Sequence, residues 1–116
     1  MPFLRLQTSA LIAADTKTDL MAILSETTAR VLCKPETYMM VALEPETSMM
    51  LGGNGKPAAM FEVRSVGTIS LMQAKNLSKE VSAILTEKLG VPANRIYSNF
   101  AGVEGTMWGH DGGTFG

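Results

Sequence analysis

The sequence predicts an α/β (α+β) fold: a double βαβ repeat that forms a four-stranded sheet with two helices on one face. Three observations predict it. Apolar alternation and helical periodicity follow one another as strand, helix, strand, and then the same order comes again. A similar junction precedes the last strand of each half, Leu32-Cys-Lys-Pro35 and Leu89-Gly-Val-Pro92, as an internal repeat requires. The length of 116 residues, 46% hydrophobic and 18% charged, suits one globular domain. That domain is expected to span residues 1–116, in halves of about 1–50 and 57–116.

The elements follow in order. Phe3 to Ser9 alternates, with Phe3, Arg5 and Gln7 on one side and Leu4, Leu6 and Thr8 on the other, the period of a strand. Thr16-Lys-Thr-Asp19 offers helix-start chemistry, and Leu20, Ile23, Leu24, Thr27, Val31 and Leu32 follow at helical spacing. Lys34-Pro35 ends that helix. Thr37 to Leu43 is nearly all apolar and reads as a strand buried on both faces. Glu44 to Pro57 is a turn region, loosest at Leu51-Gly-Gly-Asn-Gly-Lys-Pro57. Ala58 to Val66 is the third strand. Leu71 to Leu89 is the second helix, with Leu77, Val81, Ile84, Leu85 and Leu89 on one stripe, Gly90 as its cap and Pro92 beyond. Arg95 to Phe100 is the fourth strand, and a Gly-rich tail carrying Trp108 and Phe115 closes the chain.

Composition excludes several functions. A net charge of −1 with no basic block leaves no electrostatic footprint for nucleic acid. The longest wholly apolar run, Met39 to Leu43, is far too short to span a bilayer. One cysteine, Cys33, allows no intrachain disulfide, and one histidine beside it excludes a Cys/His zinc cluster. The N-terminus lacks the basic-then-apolar pattern of a secretory signal, so a reducing compartment, the cytoplasm, is expected.

Two helices cover only one face of a four-stranded sheet. The other face would carry apolar side chains into water, and other copies of the chain are the simplest cover. The competing cover is the tail, but Gly-rich tails bury poorly.

Pro2 has two readings. It suits the first residue of a strand, because its φ is fixed and it lacks an amide hydrogen. If Met1 is removed, Pro2 also carries a free secondary amine at the start of an ordered element, able to act as a base or a nucleophile.

A set of residues spread along the chain favours the second reading: Pro2, Lys34-Pro35-x-x-Tyr38, Ser65-Val66-Gly67, Arg95-Ile-Tyr97-Ser-Asn99-Phe100, Trp108, and Thr114-Phe115. Taken together, these resemble the macrophage migration inhibitory factor family of the tautomerase superfamily, over essentially the whole chain. The resemblance implies a homotrimer with pockets between subunits, and cofactor-free keto–enol tautomerisation of phenylpyruvate-like 2-oxo acids and dopachrome analogues.

It also implies roles. Pro2 would be the catalytic base, and as ammonium would return the proton. To be neutral at pH 7 its amine must be depressed by burial or by a nearby cation. Lys34 could be that cation, since parallel strands in a βαβ unit bring their N-terminal ends to one sheet edge, and it could bind the substrate carboxylate. Val66 would offer its backbone N–H to the substrate. Asn99 would reach a neighbouring subunit's pocket and bind a substrate oxygen. Tyr38, Tyr97, Trp108 and Phe115 would form an aromatic wall.

Two departures from the family pattern stand out. Pro57-Ala-Ala-Met-Phe61 replaces the cytokine's Cys-x-x-Cys pair, which excludes a dithiol activity by that motif. The stretch from Trp108 to Phe115 is two residues longer than the family spacing, and His110 falls in it. A surface-loop histidine is the stronger expectation there, a pocket acid the weaker. Against the enzyme stands a binding module, a cytokine-like trimer displaying a surface to a receptor, with export that needs no signal peptide.

Overall fold

Alternation decides the first strand. In β1 (Pro2–Thr8), Pro2, Leu4, Leu6 and Thr8 are buried, while Phe3, Arg5 and Gln7 point the other way. The computed structural model describes residues 1–116 throughout. Helix α1 (Ala14–Val31) follows and buries Leu20, Leu24, Thr27, Thr28 and Ala29. It starts two residues before Thr16: Ala13 is its N-cap and makes no side-chain cap, and Asp15 Oδ1 instead accepts from the Thr16 N–H at 2.8 Å. The helix-start chemistry of Thr16 to Asp19 thus lies inside the first turns.

The stretch predicted as a strand buried on both faces divides in two. Glu36–Tyr38 is a single 3₁₀ turn, and β2 is Met40–Glu44. It is an edge strand: Val41 and Leu43 pack against the core, while Met40 stays 65% exposed. Strand β3 (Ala59–Val66) alternates with Ala59, Phe61, Val63 and Ser65 buried. Helix α2 (Leu71–Leu89) has the boundaries its periodicity predicts. A reciprocal capping box opens it, Gln73 N–H to Ser70 Oγ at 3.1 Å and Ser70 N–H to Gln73 Oε1 at 2.9 Å. Gly90, at φ 71°, closes it in the left-handed conformation. Strand β4 (Ile96–Val103) runs three residues past Phe100.

The sheet order is β2-β1-β3-β4, with β1 parallel to β2, β3 parallel to β4, and β1 antiparallel to β3. Both helices pack on one face. Their Leu20, Leu24, Leu77, Val81 and Leu85 form one cluster with Leu4, Leu6, Phe61 and Val63 of the central strands. Phe61 meets Phe100 edge-on, ring centroids 6.0 Å apart. The opposite face is open. It carries Met40, Tyr97 and Asn99 beside charged side chains, among them the Arg5–Glu44 ion pair. The tail borders it only at the β1–β2 end, where Met107 and Trp108 line a cavity with Phe3 and Met40, and Tyr97 stays 61% exposed.

The two junctions behave alike. Cys33 and Gly90 both take positive φ, 56° and 71°. Pro35 and Pro92 each precede one 3₁₀ turn and a strand. Lys34 and Val91 hold matching places, yet Val91 is fully buried and Lys34 only partly so.

Candidate active site

The parallel pairing of β1 and β2 brings their N-terminal ends together, and the C-terminal end of antiparallel β3 arrives at the same place. Pro2 pairs with Ser65. The Lys34 ammonium donates to the Val66 carbonyl at 3.4 Å, and the Val66 N–H donates to the Met1 carbonyl at 3.3 Å. Residues far apart in sequence thus converge on the chain's first amine. That amine, on Met1, lies below its ordinary pKa, chiefly because it is partly buried and further because Lys34 adds a like charge.

Two adjoining cavities open here. The first, about 650 Å³, is mostly apolar and is lined by Pro2, Phe3, Tyr38, Met40, Met107 and Trp108, among others. The second, about 640 Å³, is lined by Met1, Lys34, Tyr38, Val66, His110, Asp111 and Phe115. A lysine, a partly desolvated amine and a backbone donor lie beside an apolar recess. That arrangement can hold an anionic head and an aryl tail while the amine exchanges a proton.

The tail supplies the roof. After a 3₁₀ turn at Gly105–Met107, a small hairpin pairs β5 (Gly109–His110) with β6 (Gly113–Thr114). Its turn residues Asp111 and Gly112 both have positive φ, 52° and 78°, as a tight two-residue hairpin demands. The stretch between Trp108 and Phe115 is this hairpin. Phe115 is seated by its N–H to the Gly105 carbonyl at 3.0 Å. A Cβ at Gly105 would stand 3.2 Å from that of Phe115, close enough that Phe115 would have to shift by a few tenths of an ångström.

Of the sequence-predicted site residues, Pro2, Lys34, Val66, Tyr38, Trp108 and Phe115 border these cavities. Tyr97 and Asn99 do not. They project from the open face of edge strand β4, with Tyr97 61% exposed. Sequence reasoning passed over Met107, Phe3 and Asp111, and expected His110 on a surface loop. His110 is exposed, yet it borders both cavities. The one signal for it was its position in the lengthened tail.

The family model described as macrophage migration inhibitory factor matches residues 1–116. The chain belongs to that family, within the tautomerase superfamily. A macrophage migration inhibitory factor homolog of Trichinella spiralis is 32% identical over 99% of this chain and 100% of its own length. The crystal structure of the Prochlorococcus marinus homologue superposes with a TM-score of 0.92 at 35% identity, over 98% of this chain and 99% of that one. A more distant neighbour shares the fold alone: Pt0534, solved in a form inactivated by 2-oxo-3-pentynoate, at 20% identity, TM-score 0.85, and coverage of 96% and 93%. The family's α+β architecture, two helices on a four-stranded sheet, is the one described above.

Proposed function

We propose that this family member is a cofactor-independent keto–enol tautomerase of phenylpyruvate-like aromatic 2-oxo acids and dopachrome-type analogues, with Pro2 as general base once Met1 is removed. The observation that carries the proposal is the meeting of the start of β1, Lys34 and the Val66 backbone at the edge of an apolar cavity, where burial and then Lys34 lower the pKa of the Met1 amine; the same two causes would act on a Pro2 amine one residue further in. A lowered pKa leaves more of the amine neutral at pH 7, and only the neutral form accepts a proton.

In the proposed reaction the Pro2 nitrogen takes a proton from the carbon next to the substrate carbonyl, and as ammonium delivers it in the reverse sense. Lys34 holds the carboxylate. Loss of Met1 removes the carbonyl to which the Val66 N–H donates, leaving that donor for a substrate oxygen. Charge on the enolate oxygen is then met by a fixed hydrogen-bond donor. The aryl group rests against Tyr38, Trp108 and Phe115. Copies associate as a trimer over the open sheet face and the β4 edge, which takes Tyr97 and Asn99 into a neighbour's cavity and buries exposed Met40.

The test is intact mass and phenylpyruvate ketonisation on one sample. Beside it run Pro2→Gly and a chain with alanine inserted between Met1 and Pro2. The insertion turns the Pro2 nitrogen into an amide and returns a carbonyl to the Val66 N–H, whereas Pro2→Gly leaves that donor free, so the two variants together separate loss of the Pro2 amine from loss of the Val66 donor. Both changes should lower the rate about a hundredfold or more, the scale of a positioned base. Protein free of Met1 that ketonises phenylpyruvate no faster than buffer does would sink the enzyme and leave a ligand-binding or receptor-facing trimer.

A further inference from the structure

His110 is the only histidine of the chain and has no part in the reaction just described. With Met1 and Tyr38, it is one of three residues common to both cavities. Its backbone is held on both sides, by the pairing of Gly109–His110 with Gly113–Thr114 and by the Trp108 N–H to Gly105 carbonyl bond at 3.1 Å. The ring stands edge-on to Phe115, with centroids 6.1 Å apart and planes at 74°. The imidazole is therefore carried by a paired hairpin and set edge-on against a cavity wall.

Charge decides what such a ring does. The titratable groups that line the second cavity with it are the Lys34 ammonium, the Tyr38 phenol, the carboxylate of its neighbour Asp111 and the chain's terminal amine. With amine and imidazole both neutral, Lys34 and Asp111 offset one another, and an anion gains little from the cavity as a whole. A protonated imidazole tips the balance to positive. Lys34 already gives one of its three N–H donors to the Val66 carbonyl, so a carboxylate with two oxygens has use for a second donor.

We infer that His110 is a second carboxylate-binding residue, acting beside Lys34 at the junction of the two cavities. It makes affinity for anionic 2-oxo acids rise as the imidazole gains a proton. The choice of substrate rests on the tautomerase reading; the anion site does not. The effect is therefore larger at the acid end of the range, where imidazole is protonated, than at the alkaline end. Because His110 is exposed, its share is that of a solvent-screened pair.

The experiment compares wild type, His110→Asn and His110→Lys, with kcat and KM for phenylpyruvate measured from pH 5.5 to 8. Asparagine cannot titrate, and lysine is charged throughout. At pH 5.5 the His110→Asn KM should be about threefold to fivefold above wild type, closing to less than twofold at pH 8. The kcat values should stay within about twofold of each other at each pH. His110→Lys should hold a low KM across the range. A KM ratio that is the same at both ends, or a lysine variant that behaves like asparagine, overturns the inference. Binding of 3-phenylpropanoate, which has the carboxylate but no 2-oxo group, is followed by NMR titration on the same three proteins. If wild type fails to turn over phenylpyruvate, the enzyme reading falls, and the pH-dependent difference in 3-phenylpropanoate affinity still decides the role of His110.

Discussion

Replacing Gly102 with alanine should loosen the candidate site from a distance. Gly102 lies on β4 opposite Ser65 and faces the turn that follows β3. A Cβ there would come 2.2 Å from the Gly67 carbonyl oxygen, with Thr68 Cα at 3.2 Å and the Gly67 carbonyl carbon at 3.3 Å. The oxygen contact is short of ordinary van der Waals distance by more than about 1 Å. Every obstructing atom is backbone, so no rotamer change relieves it. The Gly67 peptide must move, against its N–H bond to the Val103 carbonyl at 2.9 Å. Overpacking of this kind costs about 1–3 kcal/mol, and a weakened hydrogen bond adds about 1. Alanine returns about 0.5–1 kcal/mol, because it loses less chain freedom on folding than glycine does. The net loss is about 1–3 kcal/mol, or roughly 5–15 °C in melting temperature for a chain of this size. Thermal melts by circular dichroism, at matched protomer concentration, measure it. Gly55→Ala is the control, since a Cβ at Gly55 meets nothing within 4 Å. Displacement of Gly67 also moves the Val66 carbonyl that holds Lys34, so KM for phenylpyruvate should rise as well. If Gly102→Ala melts within about 2 °C of Gly55→Ala, the segment from Val66 to Thr68 yields freely, and the idea of a rigidly packed Lys34 anchor is refuted.

Two further predictions concern charge and capping. Burial and, second to it, Lys34 lower the pKa of the Met1 amine, and with Met1 removed the Pro2 amine would lie beside the same lysine, so Lys34→Gln should let its pKa rise part of the way toward the ordinary value. Less base is then neutral at a given pH, and the acid limb of kcat/KM should move to higher pH; a limb that stays put or moves to lower pH argues that Lys34 acts on the carboxylate alone. Ala13, with the extended backbone of an N-cap but no capping side chain, should accept aspartate with a gain of about 0.5–2 kcal/mol in urea unfolding, and an unchanged midpoint would show that α1 is already satisfied at that end.

The fold was legible where one physical signal dominated. Helix α2 carries a five-residue apolar stripe closed by Gly90 and Pro92, and the structure adds a Ser70/Gln73 box at the start that the stripe implies. Around Tyr38 the signals conflicted. Apolar composition read as a strand buried on both faces, whereas Pro35 starts a 3₁₀ turn and β2 lies at the edge of the sheet. Composition records how apolar a segment is, and cannot say which neighbours will cover it. The same limit applied to the site. Pro2 and Lys34 could be brought together on paper, because parallel pairing follows from βαβ connectivity. His110 and Met107 could not, since their places depend on how a Gly-rich tail folds back. Tyr97 and Asn99 were legible only through resemblance: one chain leaves them on an open face, and any role in a pocket belongs to an assembly.

The two matching junctions carry a consequence for how such a site arises. A repeated unit yields two corners, one at each end of the sheet. At the second corner Val91 occupies the place of Lys34 and is sealed in the core, while Arg95 is engaged by the carbonyls of Leu51, Lys56 and Pro57. Nothing there is free to titrate against a substrate, and the strand that enters it, β3, arrives by peptide bond from Ala58 with its nitrogen acylated. A polypeptide has one beginning. Duplication can copy a strand end, a crossover and a lysine position, but it cannot copy a terminal amine. A terminal amine can therefore serve only the leading corner, while the trailing half contributes to that corner the Val66 backbone and the Trp108 and Phe115 walls.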